Sequence, residues 1–226
     1  MERHFDEELK LLKQRLLSMA DLAQEMIGLA VKSMVERKES YAQEVFEIEQ
    51  RVNHLEIEIE DEVLRLLAIR QPAARDLRLV TAILKINNDL ERVADQAVNI
   101  AEISLYLLKE PPLKPLIDIP HMANLAQQMI KKSIEAFVHH DAQLAQEVCR
   151  KDDDVDRIND QIFRELLTYM MEDPKSITRA VDLILVSRNL ERVADHATNI
   201  SEDVIFIEEG KNIKHHIQEE RQETPL

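Results

Sequence analysis

Apolar residues recur at intervals of three and four along almost the whole chain, as in the run Leu9, Leu12 and Leu16. This spacing is that of one face of an α-helix, and polar residues fill the positions between. Prolines interrupt the pattern, most densely between residues 111 and 120, where a linker is expected. The pattern therefore predicts six helices, near residues 4–37, 41–69, 73–108, 120–139, 142–171 and 175–208.

Two residues are candidate helix N-caps. Ser40 precedes the pattern of the second helix, and Asp141 precedes that of the fifth. The side-chain oxygen of such a residue accepts a hydrogen bond from a backbone N–H in the first turn, which would otherwise lack a partner.

The two halves of the chain repeat one another. At an offset of 103 residues, 19–27 (MADLAQEMI) matches 122–130 (MANLAQQMI). At an offset of 100, 90–102 (LERVADQAVNIAE) matches 190–202 (LERVADHATNISE) at ten of thirteen positions. We therefore predict an all-α fold of two symmetric three-helix bundles, since short connections make successive helices antiparallel. The predicted boundaries are 1–110 for the first bundle, 111–119 for the linker, 120–210 for the second bundle and 211–226 for the tail.

Composition narrows the range of functions. The 226 residues carry a formal net charge of −15, which opposes general binding to nucleic acid because that binding depends on neutralising phosphates. The only two glycines are Gly28 and Gly210, so no glycine-rich nucleotide loop and no glycine-built nucleophile elbow can form.

The expected location is the cytoplasm. The single cysteine, Cys149, cannot form an internal disulfide, and charges throughout residues 1–20 argue against a signal peptide. The longest apolar runs are a few residues, far below the roughly 20 that a transmembrane helix needs.

Carboxylate and amide side chains form rows on four of the predicted helices. At 100° per residue from Glu91, Asp95 falls near 40° and Asn99 near 80°, whereas the apolar residues Leu90 and Val93 lie on the opposite side. The complete rows are Glu49, Asn53 and Glu56 on the second helix, Asn88, Glu91, Asp95, Asn99 and Glu102 on the third, Asp152, Asp156 and Asn159 on the fifth, and Glu191, Asp195, Asn199 and Glu202 on the sixth.

These rows have two interpretations. The simpler is a solvated helix face, which most helical charge rows are. Against it, like charges four residues apart destabilise a helix, and three of the four rows have Asp at that spacing. Oxygen ligands one turn apart suit divalent or ferric ions such as Mg²⁺, Mn²⁺, Zn²⁺ or iron. No histidine follows a glutamate by three residues, which argues against a ferritin-like di-iron site.

Other candidate residues have structural explanations. Cys149 aligns with an apolar position of the first half, so a buried thiol is favoured over a nucleophile. His196 is interpreted as an exposed polar residue, with a metal-ligand role as the alternative. Arg70, Arg75 and Arg78 form the one dense basic segment. Salt bridges around a helix start explain this segment, and docking of an anion or an acidic partner is the alternative.

The sequence resembles the PhoU family of phosphate-transport regulators. The resemblance rests on Arg70-Gln71-Pro72 with Asp76-Leu77-Arg78, and on the doubled segments LERVADQAVNIAE and LERVADHATNISEDVIF followed by Gly210. It covers essentially residues 5–210. The fold that it implies is the pair of symmetric three-helix bundles already expected from the repeat.

The resemblance also implies a function. Members of the family are cytoplasmic negative regulators of the phosphate regulon, thought to link the phosphate ABC transporter to a membrane sensor histidine kinase. Some bind metal clusters through E(D)-x-x-x-D motifs, which correspond here to Glu91 with Asp95, Asp152 with Asp156, and Glu191 with Asp195. The second-helix copy departs from the motif because Asn53 follows Glu49.

We therefore expect a non-enzymatic regulator that docks on the transporter's ATPase subunit and on the kinase, binds metal through the rows, and forms a homodimer. Docking is assigned to Arg70, Arg75 and Arg78. The alternatives are a metal-dependent helical enzyme or metal store that uses the same rows, and a purely structural helical adaptor that binds no metal.

Overall fold

The computed structural model describes residues 2–210, and within that range the chain is α-helical with no β-strand. A 3₁₀ turn, Pro174–Ser176, leads into the last helix. The helices are α1 (Glu2–Glu36), α2 (Glu39–Arg70), α3 (Ala74–Leu107), α4 (Asp118–His139), α5 (Ala142–Glu172) and α6 (Ile177–Glu209). The all-α prediction with six helices is confirmed. The predicted tail at 211–226 lies outside the described residues.

One of the two predicted helix caps is confirmed. Asp141 caps α5, and its side chain accepts hydrogen bonds from the backbone N–H groups of Gln143 and Leu144, both at 3.0 Å. The prediction for Ser40 is wrong, because α2 begins at Glu39 and its N-cap is Lys38. The backbone N–H of Lys38 bonds to the last turn of α1, so the chain turns and re-enters a helix before Ser40.

The helices form two bundles of three. α1, α2 and α3 pack against one another, as do α4, α5 and α6, and the apolar stripes of each set are buried between them. Hydrogen bonds recur at equivalent positions of the repeat. Asn87 Nδ2 on α3 donates to the backbone oxygen of Glu56 on α2 (3.1 Å), and Ser187 Oγ on α6 donates to Asn159 Oδ1 on α5 (2.8 Å). The repeat predicted from the sequence is therefore present in the fold.

The two bundles meet along an inter-bundle seam, where α3 packs against α6 and α1 packs against α4. Asp89 on α3 lies 2.8 Å from His196 Nδ1 and accepts a hydrogen bond from Asn199 Nδ2 at 3.2 Å. Lys85 Nζ lies 3.0 Å from the carboxylate of Asp203. His196 is therefore half-buried at the seam, and its interpretation as an exposed residue is wrong because the helical pattern does not show which polar face meets the other bundle.

The helices of residues 2–210 include none that is both long and apolar enough to span a bilayer. Their charged residues recur too closely along each helix for an uninterrupted apolar segment to form.

Candidate metal sites

The carboxylates of the second half lie on the neighbouring helices α5 and α6. Asp152 and Asp156 are on α5, and Glu191 and Asp195 are on α6. Their charges act on one another, since Asp195, Asp156 and Glu191 all raise the pKa of Asp152. The structure therefore brings the two predicted rows of this half together. We call these four residues the second acidic row.

Burial and mutual repulsion disfavour the charged forms of this row. Burial, followed by the charges of neighbouring carboxylates, raises the pKa of Asp152 to about 7. Burial is also the main cause of the raised pKa values of Asp156, Glu191 and Asp195. Asp152 Oδ1 is buried and has no hydrogen-bond partner. A cation would relieve both the repulsion and the missing partner, so the donor set fits a hard metal ion.

Asn159 on α5 lies beside one member of the second acidic row. It is close enough to Glu191 on α6 to act against the raised pKa of that carboxyl, and its Oδ1 accepts a hydrogen bond from Ser187 on α6 at 2.8 Å. Asn159 is therefore held against α6 next to the row, in the layer of polar residues that surrounds the carboxylates.

The first half contains a corresponding row with a different charge balance. Glu49 on α2 faces Asp95 and Glu102 on α3, and burial together with their charges raises the pKa of Glu49. Arg92, however, lies 3.1 Å from Asp95 and 3.3 Å from Glu91. This arginine supplies the positive charge that a metal ion would supply. The first row, Glu49, Glu91 and Asp95, is therefore partly neutralised by these ion pairs. In the second row the equivalent Arg192 acts on Asp195, and Arg188 acts on Glu191, from beyond ion-pair distance.

The amide residues assigned to the rows are less well placed. Asn53 and Asn99 are exposed. Asn199 donates a hydrogen bond from its amide nitrogen to Asp89 at the inter-bundle seam. Its carbonyl oxygen, the atom that would bind a metal ion, takes no part in that bond. Within residues 2–210, no three His, Cys, Asp or Glu side chains are grouped closely enough to hold a metal ion as they stand. A site with three or more of these ligands would therefore require the carboxylates to change rotamer.

Two of the three arginines of the basic segment form ion pairs with other helices of the protein. Arg70 Nε lies 2.9 Å from Glu8 on α1, and Arg75 lies 2.8 Å from Glu208 on α6. Salt bridging around the start of α3 is therefore present, as one of the two explanations predicted. Docking of a partner on Arg70, Arg75 and Arg78 stays a prediction.

Cys149 is buried, as predicted. Burial, with the added repulsion of Glu202 and Asp152, raises the pKa of its thiol to about 12. Since the thiolate is the nucleophilic form of cysteine, this residue is a structural thiol.

Comparison with known proteins gives a consistent result. The PhoU domain matches twice, at residues 16–104 and 119–204. The phosphate-specific transport system accessory protein PhoU homolog of Aquifex aeolicus is 42% identical over 213 residues, which cover 94% of this chain and 96% of that protein. The homolog of Pseudomonas putida is 38% identical over 216 residues, which cover 95% of this chain and 84% of that protein.

Two crystal structures share the fold. PhoU from Pseudomonas aeruginosa superposes with a TM-score of 0.89 at 39% identity, covering 92% of this chain and 100% of that one. The phosphate transport system regulatory protein PhoU from Streptococcus pneumoniae gives a TM-score of 0.84 at 28% identity, covering 92% and 98%. These names describe accessory and regulatory proteins and not enzymes, in agreement with the non-enzymatic role expected from the sequence. Two matched domains and close relatives along nearly the whole chain show that this protein belongs to the PhoU family.

Proposed function

We propose that this chain is a cytoplasmic accessory protein of a phosphate-specific transport system, and that it restrains phosphate uptake and the phosphate-starvation response when phosphate is plentiful. Two matches support the proposal. Both repeats match the PhoU domain, and 94–95% of the chain aligns with relatives described as phosphate-specific transport system accessory proteins.

The proposed mechanism is the coupling of two partners. One is the ATPase subunit of the phosphate ABC transporter, and the other is a membrane sensor histidine kinase. A helical protein without catalytic chemistry transmits a state between partners if its affinity for one depends on the state of the other. The two bundles, joined along the inter-bundle seam, provide two surfaces. A change in the relative arrangement of the bundles would let binding at one surface alter the affinity of the other.

The proposed metal site is the second acidic row. Asp152, Asp156, Glu191 and Asp195 supply four carboxylates, whereas Glu49, Glu91 and Asp95 supply three that Arg92 already partly neutralises. A bound divalent or ferric ion would supply positive charge that holds α5 and α6 together at this surface. Hard cations gain affinity with the number of carboxylates, so the second half is the stronger site.

Deletion of the gene tests the regulatory proposal. We expect a phosphate-starvation reporter to stay active in phosphate-rich medium in the deletion strain, and expression of the wild-type chain to restore its repression. Normal repression in the deletion strain would refute the role as a negative regulator.

A pull-down tests the proposed partners separately. We expect the tagged chain, recovered from membranes of cells grown in high phosphate, to retain the transporter ATPase and the kinase, and to retain less of at least one of them in low phosphate. Recovery of neither protein under both conditions would contradict the coupling mechanism.

A further inference from the structure

A cavity of about 420 Å³ lies between the proline-rich linker and the ends of three helices. Its walls include Val35 in the last turn of α1, Leu107 at the end of α3 and Leu183 near the start of α6, together with residues 111–116. Both bundles and the linker therefore contribute to it. Leu183 is about 40 Å along α6 from Gly210, so the cavity is far from the end of the described chain. We call it the linker cavity.

The walls of the linker cavity are mainly aliphatic. The apolar side chains that line it belong to Met34, Val35, Leu107, Leu113, Leu116 and Leu183, and to three prolines of the linker. None of the lining residues is aromatic, so the cavity offers no ring on which a nucleobase could stack. Apolar walls that face water in a pocket of this size favour a ligand that removes them from water. An aliphatic chain therefore suits the cavity.

The linker wall of the cavity is held in place by its own contacts. Three prolines between residues 111 and 115 restrict the backbone of this segment. Arg179 Nη1 on α6 donates a hydrogen bond to the backbone oxygen of Pro111 at 2.9 Å. Lys114 is buried and forms an ion pair with Glu165 on α5. A wall fixed in this way needs little further ordering when a ligand binds.

Two arginines give the cavity wall a positive charge. Arg37 and Arg179 both line the cavity, and within residues 2–210 no ion pair joins either of them to a carboxylate. Arg37 already donates to three backbone oxygens at the end of α3, whereas Arg179 donates to Pro111 alone among the described residues. A guanidinium has five N–H groups. Arg179, which is half-buried, therefore keeps most of its donors for a ligand.

We propose that the linker cavity binds a medium-chain fatty acid, with its aliphatic chain among the leucines and its carboxylate on Arg179. The planar fork of a guanidinium pairs with the two oxygens of a carboxylate. A single negative charge suffices, because Arg179 is the one arginine of the cavity with most of its donors uncommitted. The bound chain would contact both bundles and so favour their present arrangement. This site shares no residue with the metal rows and goes beyond the proposed regulatory function.

The test is isothermal titration calorimetry of the purified full chain with decanoate, below the concentration at which it forms micelles. We expect one saturable site per chain, and binding that weakens by up to about fourfold for each CH₂ group removed from the ligand. The Arg179→Gln variant should bind at least about tenfold more weakly, since it loses a charge-assisted pair. Arg164→Gln, which changes an exposed arginine on α5, is the control and should bind as the wild type does.

A second variant tests the cavity without touching the contacts of the linker. Val35 is 45% exposed, so the larger side chain of Val35→Phe can enter the cavity from its rim, and it should weaken decanoate binding at least about tenfold. Val138→Phe is the matched control, because Val138 occupies the equivalent position of the second repeat, is 38% exposed and does not line the cavity.

Three results would overturn the site: no saturable binding to the wild type, an affinity independent of chain length, or an unchanged affinity in a folded Arg179→Gln or Val35→Phe variant. Decanol that binds as tightly as decanoate overturns the role of the carboxylate, and decyl phosphate that binds more tightly overturns the fatty acid as the ligand. Circular dichroism establishes that each variant is folded.

Discussion

Gln127 on α4 donates a hydrogen bond from Nε2 to the backbone oxygen of Gln24 on α1, at 2.8 Å. The two glutamines occupy the same position in the two repeats, at the offset of 103 residues. A contact between equivalent residues places them close to the approximate two-fold axis that relates the bundles. The bond is one-directional, however, because the side chain of Gln24 bonds within its own helix to Ala20. The internal symmetry is therefore broken at its centre.

The close approach of Gln127 to α1 predicts a coupling with Gly28. A Cβ atom at residue 28 would lie 3.1 Å from Gln127 Nε2, so Gly28→Ala gains helix propensity but displaces the glutamine. We expect Gly28→Ala to stabilise the Gln127→Ala variant by about 1 kcal/mol, the usual gain for this change inside a helix, and to stabilise the wild type less. Denaturant unfolding of the four proteins of this cycle measures the difference. Equal effects of Gly28→Ala in both backgrounds would show that the contact has no energetic importance.

The raised pKa of Asp152 predicts that the metal-free protein loses stability as the pH rises. An aspartate with an ordinary pKa near 4 when unfolded and about 7 when folded binds more protons in the folded state between those values. Its contribution to the free energy of unfolding therefore decreases from about pH 4 to about pH 7, by about 1–2 kcal/mol after allowance for its partial exposure.

Asp152→Asn should remove this component of the pH dependence. Urea unfolding of chelated wild type and variant at several pH values is the measurement, with Asp160→Asn, an exposed aspartate on the same helix, as the control. An unchanged pH profile in Asp152→Asn would mean that another group carries the dependence.

Metal retention should depend on the second acidic row. We expect the double variant Glu191→Ala, Asp195→Ala to lose most bound metal and remain folded, because neither side chain is part of the apolar core. The equivalent double variant Glu91→Ala, Asp95→Ala should lose less, since Arg92 already neutralises part of that row. Elemental mass spectrometry of the purified proteins provides the readout. Equal metal content in the wild type and both variants would return the carboxylates to the solvated-face interpretation.

The Lys85–Asp203 pair across the seam predicts a compensating exchange. Asp203 is 1% exposed, so Lys85→Leu should destabilise the fold by about 1–2 kcal/mol, because the buried carboxylate loses its ammonium partner. The equivalent residues at the offset of 100 are Leu185 and Ile103. The double variant Lys85→Leu, Asp203→Ile copies them and should recover most of the loss. Thermal unfolding of the two variants measures the recovery. A double variant that is no more stable than Lys85→Leu would contradict a pairwise interaction.

The helices and the repeat could be predicted because they depend on local, periodic information. The apolar spacing of three and four, the proline-rich break and the ten identities between 90–102 and 190–202 predict six helices and two bundles, and the fold has both. The N-cap of α2 could not be predicted from the sequence. A shift of one residue in the turn after α1 changes which side chain faces the start of the helix.

The contacts between the bundles were not visible in the sequence. His196 is one residue from Asp195 in the second acidic row, but it turns to the seam and bonds to Asp89. A comparison of the two repeats could have indicated one of these contacts. Asp89 and His196 differ from their repeat equivalents, Asn189 and Gln96, which marks this part of the seam as asymmetric.

The sequence by itself determined the helical architecture, the duplication and the oxygen-rich face of each half, because hydrophobic periodicity and side-chain chemistry act within single helices. Only the tertiary structure decided how the charges are balanced. It left Asp152 desolvated among like charges, and it brought Lys13, Arg75 and Glu208 together from three helices at one end of the seam. Electrostatic interactions fall off with distance and depend on burial, so they are set by packing between helices far apart in the chain.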